Sequence, residues 1–127
     1  MSDYQGVIIQ ESLRDISLLK GMRVISTKVE KVTKKHKSTE KQWTLHTVEV
    51  PEDEAAELSM HISQEIKDKW YADFKNDTHH YIIFADKVFF IDRTSKEEYD
   101  EARKHGISLG IPEYQIDFHP DVKEWKR

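Results

Sequence analysis

Two apolar runs lie three residues apart in the middle of the chain, and few folds accommodate that. Tyr81, Ile82, Ile83 and Phe84 form the first run, and Val88, Phe89, Phe90 and Ile91 the second. Ala85, Asp86 and Lys87 leave room only for a hairpin. β-Branched and aromatic side chains suit a pleated surface. Side chains alternate along a strand, so Ile82 and Phe84 face one way and Tyr81 and Ile83 the other. Both faces are therefore apolar. Such a hairpin must be covered on both sides, or have one side closed by a second chain.

The residues before the hairpin alternate cleanly. Trp70, Ala72 and Phe74 share one face, and Tyr71, Asp73 and Lys75 the other, which predicts a third strand. Asn76, Asp77 and Thr78 supply the turn, because Asn and Asp side chains hydrogen-bond locally to the backbone. On the same alternation Asp73 reads as solvent-facing.

Further strands are predicted at Gly6 to Gln10, Met22 to Val32, Gln42 to Val50, and around Tyr114, Ile116 and Phe118. The apolar face switches between Leu45 and Val48, which predicts a bulge there. Leu13, Ile16 and Leu19 recur every three residues, so a short helix is expected with Ser12 as its cap and Gly21 at its end. Pro51 opens a longer helix, followed by Glu52, Asp53 and Glu54 at the positive end of its dipole. Ala55, Leu58, Ile62 and Ile66 form one stripe on it, and Met60 lies off the stripe. A last helix has its capping box at Thr94 and Glu97 or at Ser95 and Glu98. Tyr99, Ala102 and Gly106 form its inner face, and Gly106 is expected to end it. Hairpins mixed with helices predict an α+β fold, a mostly antiparallel sheet with two or three helices packed on one face.

At 127 residues the chain suits one domain with one core. It has no cysteine, which excludes disulfides, a thiol nucleophile and thiolate metal sites. The start has no basic and apolar leader pattern, and no apolar run approaches the length of a membrane helix, so a cytoplasmic setting without membrane contact is expected. The net charge of −4 argues against bulk nucleic-acid binding. Lys28, Lys31, Lys34, Lys35, Lys37 and Lys41 form a basic run with His36 that could meet phosphates. Glu30 and Glu40 dilute it, no aromatic lies in the loop to stack on a base, and lysine is a usual protector of strand edges. A solvated hairpin tip is the preferred reading.

No catalytic motif is present, and four glycines give no phosphate-cradling loop, so neither an enzyme class nor a cofactor follows. The seven histidines have no metal-ligand spacing; His61 with Glu65 one turn later is the nearest to it, and rim or surface positions explain them better. Asp92, Arg93, Thr94 and Ser95 stand where a strand meets a helix. An anion could sit there, but Glu97 and Glu98 oppose it and the cap uses the same residues. Asp73, Asp92 and Asp117 are candidate acid–base carboxylates only if they converge. The candidate ligand-binding groups are His46, His61, Asp73, Asp92 and Arg93, with a pocket expected between the sheet and the helix after Pro51.

The phrases KWYADFKND, KVFFIDR and SLGIPEYQIDF resemble a family of small uncharacterised prokaryotic proteins with no assigned activity. The resemblance implies a cytoplasmic prokaryotic setting and carries no catalytic residue. The first functional expectation is a non-enzymatic module that forms a homodimer and binds another protein or a small molecule. A small enzyme with a pocket is the alternative, and nucleic-acid binding through the lysine loop comes last. Trp43, Trp70, Trp125, Tyr71 and Tyr81 are the large side chains that would matter at an interface.

Overall fold

The computed structural model describes residues 3–31 and 42–111. The lysine loop between the second and third strands, the strand expected at Tyr114 to Phe118, Asp117 and the C-terminal tail lie outside the described residues. Six strands form one antiparallel sheet: Tyr4–Ile9 (β1), Arg23–Lys31 (β2), Gln42–Val50 (β3), Ala72–Lys75 (β4), His79–Phe84 (β5) and Lys87–Asp92 (β6). Their spatial order is β2-β3-β1-β4-β5-β6. The first strand in sequence is thus central, bonded to β3 on one side and β4 on the other. Two α-helices, Ala55–Glu65 (α1) and Lys96–Ser108 (α2), complete the α+β fold. Neither helix is long and apolar enough to cross a membrane.

Strand alternation sorts the side chains into two cores. Tyr4, Ile8, Val48, Val50, Ala72, Phe74, Tyr81 and Ile83 face α1, whose Ala55 and Ile62 are buried against them. Removing one side chain such as Ile62 from water contributes about 2 kcal/mol. Tyr71, Ile82, Phe84 and Ile91 face the other way and meet Tyr99 and Ala102 of α2. The helices therefore divide between the two faces of the sheet instead of sharing one. That division answers the two-faced hairpin, since each face of β5 is covered by one of the chain's own helices.

The third strand, the turn after it and the hairpin form as the alternation predicts. The Asn76 side-chain carbonyl accepts from the amides of Thr78 (3.0 Å) and His79 (2.8 Å), which fixes the turn. Asp86 takes positive φ at the hairpin tip. α1 is stitched to this tip: the Asp86 amide donates to the Ser63 carbonyl at 3.0 Å, and the Ser63 hydroxyl donates to the Phe84 carbonyl at 2.8 Å. Ser95 caps α2 by accepting from the Glu98 amide. The Glu98 carboxylate reaches past the reciprocal capping contact to the Asp92 amide at 2.8 Å.

Three local expectations are corrected. The stretch after β1 is two short 3-10 turns, Gln10–Ser12 and Ile16–Gly21, and not a helix. Leu13 instead bridges Ile66 beyond α1, and the Glu11 carboxylate takes the amide and hydroxyl of Thr44, so the segment is tied to the sheet at these points. Asp15, not Ser12, caps the second turn, and Gly21 has no positive φ. The bulge lies in β2, between Val24 and Ser26, while β3 runs unbroken with Leu45 and Val48 on opposite faces. Gly106 does not end α2; the chain leaves the helix through Gly110, whose φ of 89° favours glycine.

Candidate functional site: a buried polar chain beside an open cleft

β4 and β5 are paired so that Asp73 lies opposite Ile82 and Lys75 opposite His80. All four point to the face that α2 covers. His80 is fully buried there, and Asp73 retains 7% of its exposure. Burying these polar groups in a largely apolar layer is costly unless each finds a partner. They do. His80 Nε2 lies 2.7 Å from Asp73 Oδ2, and His80 Nδ1 lies 3.1 Å from the Tyr99 hydroxyl on α2. Tyr99 is 1% exposed, and Arg93 hydrogen-bonds to it.

The Asp73 carboxylate accepts only, so Nε2 carries the proton, and in a neutral ring that leaves Nδ1 as the acceptor. Arg93 donates to Tyr99, the Tyr99 hydroxyl donates to Nδ1, and Nε2–H donates to Asp73. Burial pushes the His80 imidazole down to about 3, with the Lys75 and Arg93 charges acting in the same sense. The ring is neutral at ordinary pH, and this is what leaves Nδ1 free of a proton to accept from the Tyr99 hydroxyl. Burial also raises the Tyr99 phenol, so Tyr99 stays protonated.

Both ends of the chain reach one cleft of about 520 Å³. Its lining includes Gln5, Gly6 and Val7 of β1, Thr47 of β3, Asp73 and Lys75 of β4, and Arg93 just after β6. α2 packs over β5 and β6, and the cleft occupies the β1–β3 side of the same face. Arg93 is held in place by two further bonds: its amide donates to the Thr78 carbonyl at 3.0 Å, and its guanidinium to the Asn76 carbonyl at 2.7 Å. Gly6 lets β1 come close to β4. A Cβ there would overlap the Asp73 carbonyl oxygen and the Phe74 backbone. What the arrangement can do chemically is pair charges, because fixed cations and a fixed carboxylate line one cavity.

Of the five residues proposed from sequence, the structure brings two together, Asp73 and Arg93. His46 is on the opposite face, between the Thr27 hydroxyl (3.0 Å) and the Gln10 side chain (2.9 Å). His61 is exposed on α1. Asp92 is exposed and caps locally, accepting from the Thr94 amide at 2.9 Å and hydroxyl at 2.7 Å, which lowers its pKa. A pocket of about 210 Å³ does lie between the sheet and the helix after Pro51, lined by Arg23, Glu49, Val50, Glu54 and Leu58, but none of the five candidates lines it; the cleft that Asp73 and Arg93 share lies on the face that α1 does not touch. The reading of Asp73 as solvent-facing is corrected, because Tyr71, its neighbour in alternation, is core under α2. So is the placing of every histidine at a rim. His80, Tyr99 and Lys75 were missed as site residues. The signal was available: a helix with Tyr99 and Ala102 inward needs a sheet face, and the face left for it carries Asp73 and His80.

Among the described residues no three His, Asp or Glu side chains gather as a metal site. No family model matches the chain, and no curated protein or solved structure is significantly similar to it.

Proposed function

We propose that the chain is a non-enzymatic, cytoplasmic module that binds a small polar molecule in the cleft on the β1–β3 side of the α2 face. One observation carries this reading. Asp73 and Arg93 line the same cleft and are linked behind it through His80 and Tyr99, neither of which reaches solvent. Buried polar networks are costly to build and rigidify what they touch. Here the two residues they fix are charged groups on a cavity of the size that small ligands occupy.

The test is a native mass spectrum of gently purified, untagged protein, repeated with Val7→Trp, which fills the cleft from β1. A discrete added mass that disappears in the variant is the expected result. An added mass retained by the variant would place the ligand elsewhere. A bare chain that also fails to respond to a metabolite panel in thermal shift would end the reading. The same spectrum reports whether the chain is a homodimer.

A further inference from the structure

We propose that the ligand of this cleft is a small amino-carboxylate, one carboxylate and one protonated amine on a short frame, with the carboxylate on Lys75 and Arg93 and the amine on Asp73. The inference rests on the cleft reading above and names the chemistry it selects.

The lining mixes signs. Lys75 and Arg93 stand against Asp73, Asp77 and Asp3. A simple anion entering the cleft would find two cations but would also meet Asp73. A simple cation would find Asp73 and meet the two cations. A molecule with both signs meets an opposite charge at each end of this lining. A dianion such as a phosphate monoester adds negative charge to a lining that already has three carboxylates for two cations. A monoanionic carboxylate does not carry that excess.

The hidden chain makes the pattern permanent. Asp73 receives a hydrogen bond from His80 Nε2 at 2.7 Å, which fixes its orientation. Arg93 spends donors on the Asn76 carbonyl and the Tyr99 hydroxyl, and a guanidinium has more donors than these two partners use. Thr47 and Gln5 add uncharged polar groups between the charged ones. The two charged ends are thus positioned before any ligand arrives, which lowers the ordering cost of binding.

The experiment uses the full chain and two matched sets of probes: glycine with acetate and methylamine, and γ-aminobutyrate with butyrate and butylamine. Binding is read from the amide chemical shifts of Gln5, Val7, Asn76 and Arg93. The expected result is that one amino acid moves these signals and binds about tenfold or more tightly than its matched acid and amine, the worth of one charge-assisted hydrogen bond. Asp73→Asn then lowers the amino acid to the affinity of the acid, and Arg93→Gln lowers it to that of the amine. Asn at position 73 still accepts from His80, so the core contact survives. An acid or amine that binds as tightly as its amino acid overturns the proposal and leaves the cleft reading standing. An undiminished preference in a well-folded Asp73→Asn protein overturns it as well. So does silence from all six probes, in which case the native mass adduct alone judges the cleft.

Discussion

Acidification should cost this protein stability through His80, and the amount can be worked out. An ordinary histidine titrates at about 6.5, and in the folded chain His80 is pushed down to about 3. Below pH 6.5 the unfolded chain binds a proton that the folded chain refuses, so stability falls as pH falls. The contribution is complete above about 6.5 and is lost steadily toward about 3. At about pH 5 the unfolded state gains a factor of about 30 from this one group, or about 2 kcal/mol. That is a large share of the margin of a small domain. Urea denaturation between about pH 8 and pH 5 measures the loss. His80→Gln, which has no group titrating in this range, should be less stable than the parent at pH 8 and should lose about 2 kcal/mol less over the interval. A direct check is the His80 ring proton shift, which should stay flat through this range. A ring titrating at 6.5 or above would refute the reasoning, for it would mean that Asp73 outweighs burial and the two cations.

Other outcomes follow from the same geometry. Tyr99→Phe strips His80 Nδ1 of its donor in a buried site and should cost about 2 kcal/mol in urea midpoint analysis; an unchanged midpoint would show that the hydroxyl is not the partner. Gly6→Ala should cost about 3 kcal/mol, because the new methyl group meets backbone of β4 that cannot step aside; a parent-like midpoint would disprove the close approach. Ser95→Ala removes the cap of α2 and should cost about 1 kcal/mol. The His105 ring packs against Phe84 and Phe89, its Nε2 is buried with no partner, and burial with Lys87 nearby lowers its pKa. His105→Phe should raise the thermal midpoint, and more at about pH 5 than at about pH 8, since the parent alone pays for keeping the ring uncharged. A variant with the parent's midpoint at both values would show that the nitrogen is solvated.

The fold was legible wherever one physical rule acted alone. Alternation over Trp70 to Lys75 put Ala72 and Phe74 on one face, which is the face of the α1 core, and the spacing of Ala55, Leu58 and Ile62 identified the buried stripe of α1, with Met60 outside it. Legibility failed where two rules competed. Leu13, Ile16 and Leu19 have helical spacing, but the Leu13–Ile66 bridge and the Glu11–Thr44 contacts hold that segment against the sheet. Gly106 carries a weak helix propensity, yet it is buried on the inner face of α2 and the helix runs past it. The site was half legible. Asp73 and Arg93 were singled out for their charge, while His80 was passed over because the histidines, lacking metal-ligand spacing, read as rim or surface positions. Its burial depends on a helix that begins sixteen residues later, in Lys96, and no local pattern at His79 and His80 reports that helix.

The central place of β1 bears on when the protein becomes competent. The β4–β5–β6 meander and the β2–β3 pair are each built from neighbours in sequence, whereas β1 must find partners some forty and seventy residues away. Such distant pairings close slowly. The wall of the cleft formed by Gln5, Gly6 and Val7 is β1 itself. The cleft is therefore complete only once β1 joins the two halves of the sheet, and a ligand of the proposed kind would hold that seam shut.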